Sequence, residues 1–238
     1  MKAKSKKKSR VEIADPQNAI YHFKIYLLNI SPMIYRRFKV KGDTHIAQLH
    51  HLIQIIMGWD NDHLHSFKVW GMTYGISRSG GMNFHDDPCK IFIGDFGFKA
   101  GDKFTYTYDF GDHWQHEIRV EKIEETNLSY NHPSCIEGKR ACPPEDCGGP
   151  FSYEDVILDQ SIWLRETLLN ILESVNAGKL PNFDFDDYDR IPYWYKKFDP
   201  ARFDKAKINR AIKKLYQEKG GDRFLWGLQD YYDYLEGE

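Results

Sequence analysis

KFTYTYDFGDHWQHEIRVEKI, residues 103–123, decides the fold. Two runs of alternating apolar and polar residues flank a short polar stretch, the signature of an antiparallel hairpin. A three-residue turn at Gly111-Asp112-His113 sets Phe110 opposite Trp114, Tyr108 opposite His116, Tyr106 opposite Ile118 and Phe104 opposite Val120. On the other face Lys103 then meets Glu121 and Thr105 meets Arg119. A two-residue turn would set these aromatics against charges and turn one core face outward. The alternation points His116 inward beside Tyr108 and points Asp109 outward, which separates the two as an acid–base pair.

Upstream, HFKIYLLNI (22–30) and IYRRFKV (34–40) read as two strands parted at Ser31-Pro32. Ile34, Phe38 and Val40 share a face with Arg36, while Tyr35, Arg37 and Lys39 point away. Thr44 is placed to cap a helix in which Ile46, Leu49, Ile53 and Ile56 recur at helical spacing and which Gly58 stops. His45, His50 and His51 fall near or on its more polar side. HLHSFKVWGMTYGI (63–76) returns to strand character. The expected fold is therefore α+β, a mixed or antiparallel sheet with a β-hairpin–helix–strand, β-grasp-like start. Residues 77–101 read as a long loop with a short strand at Ile91–Ile93. After the second hairpin come a cysteine loop (132–150), a helix from Tyr153 to Ala177, and helices near 203–217 and 222–235. The organisation expected is a basic disordered tail (1–18), one domain (19–218) and a helical extension (219–238).

Composition narrows the functional classes. Hydrophobic residues are 41% and aromatics 15% of 238 residues, enough for a buried core. The net charge of -2 excludes a chain that binds polyanions over its whole surface. MKAKSKKKSR (1–10) carries six Lys or Arg, a solvated tail by default and weak nucleic-acid contact otherwise. No run approaches the roughly 20 apolar residues of a membrane span, so a cytoplasmic protein is expected. Phosphate-loop, HExxH, GxSxG and Rossmann glycine patterns are missing.

Several constellations could carry chemistry. HPSCIEGKRACPPEDCGGP (132–150) holds Cys135, Cys142 and Cys147, read as buried thiols in a rigid loop or, with His116, as zinc ligands. In PPEDCGG the prolines and glycines restrict where Glu145 and Asp146 can point, as a catalytic or ligating carboxylate requires. His63 and His65 lie one pleat apart and could share a metal with Asp60 or Asp62. Asp109, Asp112 and His116 are the remaining catalytic candidates. Trp59, His63, His65, Tyr108 and Trp114 are the binding candidates, Trp59 as a lid on the core. Asp184, Asp186, Asp187 and Asp189 read as a solvated acidic loop pinned by Phe183, Phe185 and Tyr188.

Together IYRRFKV, LHHLIQIIMGWDNDHLHSFKVWGMTYG, FTYTYDFGDHWQHEIRVEKI, CIEGKRACPPEDCGGPFSYEDVI and FDPARFDKAKINRAIKKL resemble the plasmid pRiA4b ORF-3-like family, also described as the resolvase-like passenger protein of insertion elements. The similarity runs from about residue 21 to 216. It implies an α+β fold and a link to plasmids and transposons, and transfers no catalytic residue. Its motifs map onto Trp59, His63, Asp109, Gly111, Asp112, Trp114, His116, Cys135, Glu145, Asp146, Gly148 and Gly149. Cys147 departs from the pattern, which shifts the metal expectation toward Cys135 and Cys142. Two functions stay open beside a purely structural role for every motif, a packed hairpin tip braced by a rigid loop. One is a binding or accessory protein of a mobile element, with its pocket near Tyr108, His116 and the cysteine loop, and with self-association as a further expectation. The other is a metal-dependent hydrolase with Cys and His ligands and Glu145 or Asp146 as general base.

Overall fold

The computed structural model describes residues 13–77, 83–126, 130–179 and 198–218. The elements are β1 (Ile20–Leu27), β2 (Tyr35–Lys41), α1 (Ile46–Met57), β3 (His65–Val69), β4 (Met72–Tyr74), a short 3-10 turn (Ile93–Phe96), β5 (Lys103–Tyr108), β6 (Trp114–Glu124), β7 (Ser134–Lys139), α2 (Gly149–Asn176) and α3 (Lys205–Glu218). The strands form one seven-stranded sheet, ordered β4-β3-β5-β6-β1-β2-β7 and antiparallel at each pairing. The fold is α+β, as the patterning predicts.

Alternation explains the sheet. Phe23, Ile25, Phe38, Val40, Phe104, Tyr106, Ile118 and Val120 are buried and pack in one cluster with Leu49, Leu52, Ile53 and Ile56 of α1. Each fully buried side chain of this size stabilises by about 1.5–3 kcal/mol. The opposite face carries cross-strand charge, such as Arg37 between Glu121 (2.8 Å) and Glu137 (2.9 Å). Arg36 is the charge on the buried face. Its guanidinium donates to the carbonyls of Tyr35, Ile56 and Lys139 and lies 4.8 Å over the Phe203 ring. At the β7 edge, the Asn209 amide of α3 accepts from Cys135 N (2.8 Å) and donates to Cys135 O (2.9 Å), as a neighbouring strand would.

Several expectations are corrected. The sheet does not confirm a β-grasp-like start: the strand after α1 pairs with β4 and β5, not with the first hairpin. Residues 63–76 form two strands, because the chain turns at Trp70 and Gly71. His45, not Thr44, caps α1, in a reciprocal bond with Gln48. His50 is fully buried rather than on a polar side. In place of a strand at 91–93, Phe92 makes one bridge to His45. β7 falls where only a loop was expected.

The second hairpin is shifted by two residues. Tyr108 pairs with Trp114, Tyr106 with His116 and Phe104 with Ile118, while Lys103 meets Arg119 and Thr105 meets Glu117. The turn spans 109–113, and a shift of two preserves every core face. Asp109 is the cause. It adopts φ 54°, its Oδ1 accepts from Gly111 N (2.9 Å) and Asp112 N (3.3 Å), and its carbonyl accepts from His113 N (2.6 Å). An aspartate that bonds its own turn leaves the strand early. Asp109 is consequently buried rather than outward. The 1–10 tail, the acidic run 184–189 and the helix near 222–235 lie outside the described residues.

Candidate functional site

Three segments meet at one end of the sheet: the approach to β3, the tip of the β5–β6 hairpin, and the PPEDCGG loop ahead of α2. The hairpin tip docks on that loop. Asp112 Oδ2 accepts from Gly148 N (3.0 Å), and a Cβ at Gly149 would stand 2.4 Å from the Asp112 carbonyl oxygen. Trp59 closes the junction. It is buried, its Nε1 donates to Pro143 O (2.9 Å), and its ring stacks on Tyr108 at 4.9 Å.

At the junction His63 faces three carboxylates. Its Nε2 lies 3.2 Å from Asp146 Oδ1, 3.4 Å from Glu145 Oε2 and 3.8 Å from Asp109 Oδ2. That nitrogen is out of contact with solvent and makes no hydrogen bond among the described residues. Asp109 is nearly buried, whereas the Asp146 side chain is 78% exposed, so the group opens to solvent on the Asp146 side. Glu145 is fixed behind it: Oε1 accepts from the Tyr108 hydroxyl (2.9 Å) and from Asp60 N (2.8 Å). Burial, then the bond to Glu145, raise the Tyr108 pKa, which keeps the phenol a donor.

Two imidazoles that the sequence groups together are separated here. His65 is buried and stacks on His50 with ring centroids 3.5 Å apart. Gln54 donates to the Tyr106 hydroxyl, which lies 2.8 Å from His50 Nδ1, and His50 Nε2 lies 2.6 Å from Asn61 Oδ1. His65 therefore belongs to a core network and His63 to the carboxylate group. His116 is fully buried beneath Trp59. Its Nδ1 meets Tyr106 O at 3.2 Å, its Nε2 has no hydrogen-bond partner among the described residues, and burial lowers its pKa to about 3.

The cysteines do not join His116 in a ligand set. Among the described residues, the group of three or more His, Cys, Asp or Glu whose ligand atoms lie within 4.8 Å of one another is His63, Asp109 and Asp146. Burial raises the pKa of Cys135 to about 11 and of Cys147 to about 12, and raises that of Cys142 as well. Groups so shifted are protonated thiols at neutral pH in the ion-free chain. Each member of the carboxylate group was legible as a candidate in the sequence. Their assembly was not, because alternation placed Asp109 on the wrong face.

A family model described as plasmid pRiA4b ORF-3-like protein matches residues 19–207. An uncharacterized protein, y4hQ, from Sinorhizobium fredii (strain NBRC 101917 / NGR234) is 30% identical over 141 residues, covering 58% of this chain and 71% of that protein. The crystal structure of a protein of unknown function, MM3350, from Methanosarcina mazei Go1 superposes with a TM-score of 0.59 at 31% identity, covering 79% of this chain and 96% of that one. No helix among the described residues is long and apolar enough to cross a membrane.

Proposed function

The chain belongs to the plasmid pRiA4b ORF-3-like family, and on that premise we propose that it is a binding protein whose site is a divalent-cation centre at the hairpin–loop junction. His63 Nε2, Asp109 Oδ2 and Asp146 Oδ1 are the ligands, and Glu145 stands beside them. The observation that carries this reading is the His63 nitrogen, shielded from water and unbonded, with three carboxylates at 3.2–3.8 Å. Ligands each about 2.1 Å from a common ion lie roughly 3.0–3.4 Å from one another, for octahedral to tetrahedral angles. The His63–Asp146 separation falls within that range, the Asp109 one is longer, and the oxygen of Glu145, which stands beside the ligands, lies at its edge. Three converging carboxylates also repel one another, and a divalent cation offsets that repulsion. One imidazole with carboxylates suits zinc or manganese, whereas an all-cysteine set would select zinc. The opening beside Asp146 leaves room for a ligand of the ion. A role beside a plasmid or transposon product fits the family description, with weak nucleic-acid contact through residues 1–10.

The test is calorimetric. Chelator-treated protein is titrated with zinc and with manganese, beside Asp109→Asn and His63→Ala. One ion bound per chain, with affinity falling by an order of magnitude or more in each variant, supports the reading. Equal binding by the variants, or none by the parent, overturns it.

A further inference from the structure

We infer that the outer face of the sheet binds single-stranded nucleic acid, with a row of cations on its phosphates and a tyrosine pair under its bases. This inference does not rest on the ion site, and it puts the contact on the folded domain rather than on residues 1–10.

The row follows from strand register. Lys103 of β5 pairs with Arg119 of β6, Arg119 with Lys24 of β1, and Lys24 with Arg37 of β2. Four cations thus stand directly opposite one another across four adjacent strands, over roughly 14 Å at the usual strand spacing. All four are half-buried or exposed to solvent. Like charges set directly opposite one another destabilise a sheet, so folding alone gives no reason for the row. Three carboxylates answer it in part. Glu117 lies 2.8 Å from Lys103 and 3.5 Å from Arg119, and Arg37 is held by Glu121 and Glu137. Lys24, in the middle, makes no ion pair among the described residues. Its Nζ lies instead 4.8 Å from the centre of the Tyr35 ring and 5.5 Å from that of Tyr26. Ion pairs open to solvent exchange partners at little cost, so an incoming anion can take over the row. The chain as a whole carries a net charge of -2, which makes this strip a local feature rather than a general basicity.

The neighbouring row identifies the anion. Tyr26 of β1 stands directly opposite Tyr35 of β2, at the next outward position on each strand from Lys24 and Arg37. Their hydroxyls donate to Glu117 and Glu137, which holds the two rings in place. An acidic peptide or a free phosphate has no use for a pair of rings beside the charges. Single-stranded nucleic acid does: a cationic strip follows its backbone, and unpaired bases stack on neighbouring aromatic side chains. A duplex keeps its bases inside and leaves the tyrosines unused. Lys24 joins the two rows, since its amine passes from ring to phosphate with no ion pair to break.

Fluorescence anisotropy of a labelled oligothymidylate with the full chain, across salt concentrations, tests this. The parent should bind at low salt, with log affinity falling against log salt at a slope of about -3 or steeper, as four phosphate contacts on a single strand require. Lys24→Glu with Arg119→Glu should weaken binding by about tenfold or more while residues 1–10 stay intact. Tyr26→Leu with Tyr35→Leu should weaken the oligonucleotide by about tenfold or more and leave heparin, an anion without bases, bound as in the parent. Both variants should keep the parent's circular dichroism spectrum. No binding by the parent at low salt, or equal binding by the charge-reversed variant, which would place the contact on residues 1–10, would overturn the inference. So would a tyrosine variant that holds the oligonucleotide as tightly as the parent, or one that loses heparin equally.

Discussion

Gly149→Ala probes the contact that holds the two halves of the site together. At Gly149 φ is 80°, and an added Cβ would stand 2.4 Å from the Asp112 carbonyl oxygen. At Gly58, which ends α1, φ is 90° and nothing lies within 4 Å of an added Cβ. The left-handed backbone costs a non-glycine residue about 1–2 kcal/mol at either position. Only Gly149 adds overlap with a backbone atom, and forced overpacking costs about 1–3 kcal/mol more. Gly149→Ala should thus lose roughly 2–5 kcal/mol and Gly58→Ala roughly 1–2 kcal/mol. Each kcal/mol moves Tm by about 2–4 °C in a domain of this size. Scanning calorimetry of the two variants side by side isolates the steric part. The hairpin tip carries Asp109 and the loop carries Asp146, so Gly149→Ala should also weaken the ion where Gly58→Ala does not. Equal Tm losses in the two variants would refute the docking of tip on loop.

Further outcomes follow from the same geometry. His116 is held neutral with a folded pKa near 3, below its unfolded value, so the unfolded chain binds the extra proton as pH falls below about 6.5. Its contribution is therefore complete above that pH and is lost as pH falls toward 3. Urea titrations from pH 6.5 to 4.5 should show His116→Gln flattening the slope by up to about 1.4 kcal/mol per pH unit; an unchanged slope would contradict its burial. Cys135, Cys142 and Cys147 should resist a thiol reagent at pH 8 in the native protein and react once it is denatured, and fast native reaction of all three would contradict their raised pKa values. Asn209→Ala removes the clamp on the β7 edge. It should cost about 1–2 kcal/mol and speed hydrogen exchange at the Cys135 amide, whereas an unaltered exchange rate would show that the edge is held otherwise.

How far the sequence could be read depended on the type of signal. Period-two alternation made the inner face of the sheet legible, down to Arg36 among Ile34, Phe38 and Val40. Helical periodicity gave the core side of α1 and the terminating Gly58. Hairpin register was not legible to that signal, because a shift of two residues leaves the same faces buried. The energy that chose the register lies in the Asp109 side chain bonding its own turn, a local competition that alternation does not see. The same substitution of turn for strand brought Asp109 toward His63, so one local error hid the carboxylate group. The parting of His63 from His65 was equally hidden, since it depends on β3 beginning at His65 and on the His50 ring that stacks there. Likewise the strand at Ser134–Lys139 was masked by Cys135 and Gly138, which read as loop until α3 and β2 enclose it.

The central claim is that the hairpin–loop junction holds a divalent ion. Anomalous diffraction from crystals soaked in zinc or manganese measures it most directly. The account predicts one strong peak within about 2.3 Å of His63 Nε2 and of a carboxylate oxygen from both Asp109 and Asp146. A peak lying instead among Cys135, Cys142 and Cys147, or no peak at the junction with both metals, would contradict it.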